Sequence, residues 1–197
     1  AVMNFEYWHH SARGWLFHFI GRNESAFKEY SAAYAFNPSA KLARYLGFIA
    51  AEQNRLADGA YWFEEATRKD PENAETWFNL GFALERNGQP QEAVRAFTES
   101  TRLKPSIDRA WYGLGLAHAR LGNHAEAAES LEETVRLQPM HGDAWYHLGM
   151  AHHFARNPDR VTEVIEKLRS FEPKRANQLI RETSRTDLQH LYTDMPF

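Results

Sequence analysis

An all-α array of stacked helical hairpins is the fold class this sequence predicts, and two periodicities carry the prediction. Pro38, Pro71, Pro105, Pro139 and Pro173 lie 33, 34, 34 and 34 residues apart. Gly14, Gly47, Gly81, Gly115 and Gly149 repeat with the same steps, 24 residues ahead of the prolines. Two residue types holding one period over most of a chain mark a stacked repeat architecture. Between these marks apolar residues such as Leu114 and Leu121 recur at helical rather than alternating spacing. Such an array offers a partner a long surface more often than it offers a substrate a pocket.

The repeating units follow in order. Residues 7–39 carry Gly14, Phe17, Ala26, Tyr30, Ala33 and Pro38, and are the most divergent. Residues 40–73 keep Leu46, Gly47, Phe63, Ala66 and Pro71, with Ala43 where later units have tryptophan. The next unit, 74–107, reads Trp77-x-x-Leu80-Gly81, then Ala93, Phe97 and Pro105. Residues 108–141 repeat it as Trp111, Leu114, Gly115, Ala127, Leu131 and Pro139. Residues 142–175 carry Trp145, Leu148 and Gly149, with Val161 in place of the small alanine. Each unit reads as two helices. The repeated glycine lacks a Cβ where those helices approach closely, and the tryptophan fills the gap between neighbouring units. Gly21, Gly88 and Gly122 stand just past a first helix, where a left-handed C-cap is favoured. A last helix from about Lys174 to Leu191 would cover the fifth hairpin.

The pattern Trp-x2-Leu-Gly, Ala-x3-Phe, Pro resembles the tetratricopeptide repeat. The resemblance covers roughly residues 7–175, with Arg13 standing where leucine is expected. It implies a right-handed α-solenoid of about five hairpins forming a single domain over residues 1–197. It also implies a concave groove lined by the first helix of each hairpin. Carried over position by position, that groove holds Trp8, Trp15 and Phe19, then Lys41, Arg44, Tyr45 and Phe48. The third unit adds Phe78, Asn79, Phe82 and Arg86. The fourth gives Arg109, Tyr112 and Arg120, and the fifth Tyr146, His147, Met150 and Phe154. Aromatic and arginine side chains dominate protein-binding hot spots. The implied function is a non-enzymatic scaffold that takes a protein or peptide partner with apolar side chains and some acidic character. Relatives that grip a chaperone's C-terminal carboxylate use five basic or asparagine positions. Arg44, Asn79 and Arg109 stand at three of them, while Phe48 and Gly113 depart, leaving too few donors for a full clamp.

Composition and motif searches return no chemistry. The 197 residues are 43% hydrophobic and 25% charged with a formal net charge of −3, which gives no reason to expect nucleic acid. No cysteine is present, which excludes disulfides and thiolate chemistry. Gly113-Leu-Gly115 lies within a helical pattern with no strand before it, so it is no nucleotide fingerprint. The ten histidines do not converge at metal-ligand spacing; His118 and His152 fall at an aromatic packing position instead. No cofactor and no metal are expected. No stretch reaches the ~20 apolar residues that span a bilayer, so membrane contact would be indirect or peripheral. The expectation is a cytoplasmic chain, or a periplasmic one if a leader or anchor has been removed.

The N-terminal unit breaks a rule of its architecture. A terminal repeat normally turns a polar face to water. Here Phe5, Tyr7, Trp8, Trp15, Leu16, Phe17, Phe19 and Ile20 spread around nearly the whole helix. Residues 1–6 fold back to cover it, or the helix tilts into the groove, or Trp8, Trp15 and Phe19 form an interface for self-association, for docking to a larger bacterial assembly, membrane-associated ones included, or for membrane contact.

Overall fold

The computed structural model describes residues 2–192, side chains from residue 5 onward, and its backbone clusters into two compact units, Ala1–Lys104 and Pro105–Phe197. The first unit holds three hairpins: α1 (Val2–Phe19) with α2 (Asn23–Phe36), α3 (Ala40–Glu52) with α4 (Leu56–Lys69), and α5 (Ala74–Arg86) with α6 (Pro90–Leu103). The second holds α7 (Asp108–Arg120) with α8 (His124–Leu137), α9 (Gly142–Phe154) with α10 (Pro158–Arg169), then α11 (Pro173–Glu182) and a 3-10 helix over Thr186–Leu191.

Four of the periodic glycines sit where their own hairpin's helices touch, while Gly149 faces Leu179 of α11 more closely than Val164 of its own hairpin. A Cβ added at Gly47 would lie 2.8 Å from the Phe63 ring, and one at Gly81 would lie 2.7 Å from the Phe97 ring. Gly14 meets Tyr30 and Gly115 meets Leu131 in the same way. Every hairpin turn closes alike. The N–H groups of Arg22, Arg55, Gln89, Asn123 and Asn157 bond to the carbonyl five residues back, at 2.8 to 3.0 Å. This is the Schellman closure, and the residue before each donor is left-handed. Gly21, Gly88 and Gly122 occupy that place with φ of 74°, 78° and 80°, as the sequence predicts; Asn54 and Arg156 occupy it with φ of 58° and 60° without being glycine.

The tryptophans do more than fill space. The Nε1–H groups of Trp77, Trp111 and Trp145 donate to the carbonyls of Pro71, Pro105 and Pro139, at 2.8, 2.9 and 2.9 Å. Each bond ties the connection from the preceding second helix to the next first helix. That links the tryptophan period to the proline period six residues earlier.

Two expectations need correction. The last helix does not run from Lys174 to Leu191. It stops at Glu182, where the Thr183 hydroxyl donates back to the Leu179 carbonyl and Ser184 turns left-handed at φ 53°. Short hydroxyl side chains offer the backbone such alternatives to continued helix. Nor does α1 stay apolar all round. Tyr7 and Phe17 pack inward against the core around Tyr30 and Leu46, Gly14 is buried, and buried Glu29 is hydrogen-bonded to His10 and ion-paired with Arg13 beside them. Residues 2–6 continue the helix and do not fold back; Ala1 lies outside the described residues.

Candidate protein-interaction surface

In residues 1–104 the residue after each close-approach glycine is an exposed aromatic: Trp15, Phe48 and Phe82 are 61%, 40% and 45% exposed. The cause is helical geometry. When the glycine is pressed against the second helix, the next side chain points about 100° away, off the hairpin interior. Trp15 stacks on Phe19 with ring centroids 5.5 Å apart. Phe48 stands edge-on to buried Phe63 at 5.3 Å. Phe82 is overlain by the Arg86 guanidinium at 5.7 Å, and Arg86 also donates to Asn54 at 3.3 Å. These contacts hold the rings in place without covering them.

The other residues expected on this face are more enclosed. Tyr45 is half-buried and stacks on Tyr30 at 5.2 Å, with Lys41 5.8 Å above its ring. Burial, with Tyr45 alongside, pushes the Tyr30 phenol up to about 12. Phe78 is half-buried 6.0 Å from Phe97, and Asn79 is half-buried. Arg44 is half-buried and donates to Asp70 at 3.2 Å, so its charge is already engaged. Trp8 and Phe19 are exposed on α1.

Residues 105–197 present a different face. Arg109 and Arg120 are exposed at the two ends of α7. Tyr112 is half-buried between the rings of His141 at 5.0 Å and His147 at 6.0 Å, and burial raises its pKa. Tyr146 donates its hydroxyl to Glu182 of α11, and Arg175 lies 5.4 Å over its ring. Burial first, then Glu182, pushes that phenol up to about 12. The residues that follow the glycines here, Leu116 and Met150, are half-buried and not aromatic. Phe154 is exposed and stacks on His124 at 4.9 Å. His152 is buried and its pKa is lowered by that burial, in keeping with a packing histidine.

Sequence reasoning did not find a cleft of about 940 Å³ among α4, α5 and α6, whose lining includes Tyr61, Arg68, Trp77, Leu84 and Arg95. No motif marks it, because its lining comes from three successive helices. Among the described residues no cluster of three histidine, aspartate or glutamate side chains could hold a metal ion, and no helix is long and apolar enough to cross a membrane.

The tetratricopeptide repeat profile matches residues 12–74, 78–133 and 121–160. No curated protein matches the sequence. Solved structures do. A crystal structure of MamA is 20% identical, covers 97% of this chain and 98% of its own, and superposes with a TM-score of 0.77. YrrB, described as a TPR protein with an unusual peptide-binding site, is 21% identical over 89% of this chain and 90% of its own, with a TM-score of 0.78. PilF of Pseudomonas aeruginosa is 18% identical over 98% and 94%, with a TM-score of 0.66. At these identities the structures speak for the fold, and the fold supports a protein–protein interaction scaffold. With matches across most of its length and hairpins built on the periodic glycines, this chain belongs to the tetratricopeptide repeat family.

Proposed function

We propose that the chain is a non-enzymatic scaffold that holds an apolar segment of a protein partner against the first helices of residues 1–104. The observation that carries this reading is the aromatic series Trp15, Phe48 and Phe82, each exposed at one register position on successive hairpins. Large rigid rings left in water are the anchors that protein interfaces bury. The arginines play a smaller part than the groove pattern suggests. Arg44 is held by Asp70, and Arg86 rests on Phe82, where it extends the apolar surface as well as offering charge. The ligand is therefore chiefly aromatic or aliphatic, with an acidic group welcome near Arg86. YrrB, with its peptide-binding site, is a precedent for the fold in this use.

The test selects peptides from a random library on the immobilised protein and measures their affinity by fluorescence polarisation. Phe48→Ala with Phe82→Ala should weaken the selected peptides at least ~10-fold while helicity is unchanged. Peptides that bind the double variant as tightly as the original protein would sink the reading. Assembly through the N-terminal hairpin is a second reading, favoured by the exposed face of α1.

A further inference from the structure

Helix α1 exposes an apolar seam on the side opposite Gly14. Phe5, Trp8, Ala12, Trp15 and Phe19 follow one another at intervals of 3, 4, 3 and 4 residues, and all five are exposed. That spacing is the one by which two helices pack along a common seam. It differs from the stripe that α1 uses within its own hairpin, where Tyr7, His10, Gly14 and Phe17 are buried or half-buried. The helix is therefore amphipathic in neither direction: one apolar side is occupied and the other is open.

The seam is also palindromic in the order of its side chains, with Trp8 four residues from Ala12 and Trp15 three. Read from either end, its side chains are Phe, Trp, Ala, Trp, Phe, with the smallest at the centre. A contact in which the same patch serves both partners must be self-complementary across a two-fold axis. Two α1 helices laid antiparallel with Ala12 at the axis satisfy that condition. Phe5 of one copy would lie beside Phe19 of the other, and Trp8 beside Trp15 and Leu16. The alanine lets the two backbones approach at the crossing point, as small residues do.

The area is of the right size. Phe5, Trp8, Trp15 and Phe19 are 68%, 66%, 61% and 74% exposed. Aromatic side chains bury roughly 150–250 Å² each, so these four offer roughly 400–650 Å². Leu16 and Ile20, both about half exposed, add to this. A stable interface takes about 800 Å² from each partner. The flanks argue against a lipid surface, which would call for a basic border. Glu6 and Arg13 carry opposite signs, and Arg13 is engaged by Glu29 at 3.0 Å.

From the palindromic seam we infer that α1 is a homodimerisation element, which pairs antiparallel with the α1 of a second copy across an axis at Ala12. This shares Trp15 with the peptide reading but not Phe48 or Phe82, so variants at those two positions test the readings apart.

The absence of cysteine allows a direct test. Under mild oxidation Ala12→Cys should give a disulfide-linked dimer, since a bridge needs Cα atoms within ~7 Å of each other. Phe5→Cys and Phe19→Cys should each cross-link poorly alone and readily when mixed. Sedimentation of the unmodified protein should show a reversible dimer. Trp8→Ser with Phe19→Ser should raise its dissociation constant at least ~10-fold with circular dichroism unchanged. Phe48→Ala with Phe82→Ala should leave the dimer intact, so this inference and the peptide reading can fail separately. A monomer at every concentration up to roughly 100 µM would overturn the proposal. So would a dimer untouched by the seam variant, or Phe5→Cys cross-linking alone as readily as Ala12→Cys. Flotation of the protein with phosphatidylcholine–phosphatidylglycerol vesicles, lost in the seam variant, would assign the face to a membrane and overturn it equally.

Discussion

Residues 1–104 and 105–197 are built from the same repeat, yet they fill the position after the periodic glycine in different ways. In the first unit the residue after each periodic glycine is Trp15, Phe48 or Phe82, and all three reach water. In the second it is Leu116 or Met150, and both are half-buried. The second unit's tyrosines are used internally: Tyr112 against His141 and His147, and Tyr146 against Glu182 and Arg175. One set of hairpin contacts thus supports two kinds of surface, because the positions that hold a hairpin together are separate from those that face outward. The helix-to-helix contacts lie at the glycines, while the proposed recognition surface lies one residue along.

The largest expected effect breaks the part the units share. Phe97 is 2% exposed and packs on Gly81, so Phe97→Ala should cost about 3–5 kcal/mol. Leu131→Ala at the same position of the second unit should cost about 2–5 kcal/mol. Denaturant midpoints measure both. Losses below ~1 kcal/mol in both variants would mean that the glycine contacts do not hold the hairpins.

The next effect separates the units by function. Replacing Leu116 and Met150 together with alanine should leave the affinity of selected peptides within about twofold, because neither position offers an exposed ring. A loss as large as that expected from the Phe48 and Phe82 double variant would place recognition in residues 105–197 and end the contrast.

Acid should act on the second unit. Burial lowers the pKa values of His118, His147 and His152 below the ordinary 6.5. Glu126 and Glu129 face His118, Asp143, Arg175 and His141 face His147, and Glu132, Arg160 and Glu163 face His152. As pH falls through 6.5 the unfolded chain takes up protons that these folded sites resist. Stability must therefore decline from that pH down to the lowered folded values. His152→Gln should flatten the decline. The measurement is the denaturant midpoint of the chain and of its His152→Gln variant between about pH 7.5 and 5, followed by circular dichroism. A midpoint unchanged across that range would contradict the burial of these rings.

The smallest effect compares two turns. Arg156 and Asn54 both sit left-handed at the end of a first helix. Arg156→Gly should raise stability by about 1 kcal/mol, since a side chain there is strained. Asn54→Gly should gain less, because asparagine tolerates that conformation and Asn54 also accepts a bond from Arg86. Equal gains would show that the turns are not limited by backbone strain.

Much of this molecule is legible in its sequence. The spacing of Gly14, Gly47, Gly81, Gly115 and Gly149 announces five hairpins, because only a residue without Cβ fits where Tyr30, Phe63, Phe97, Leu131 and, at Gly149, Val164 with Leu179 press against the first helix. Such contacts lie within one repeat, so local pattern suffices to read them. The tertiary structure decided what depends on partners far along the chain or on direction around a helix. Arg44 is paired off by Asp70 and Tyr146 by Glu182, 26 and 36 residues away. A groove pattern reads only the first helices and cannot foresee either. In α1 the apolar residues go nearly all round, and packing assigns Tyr7 and Phe17 to the core and leaves Trp8, Trp15 and Phe19 in water. Composition is blind to that division, since burial is a property of which face meets α2, and α2 meets the face that carries Gly14.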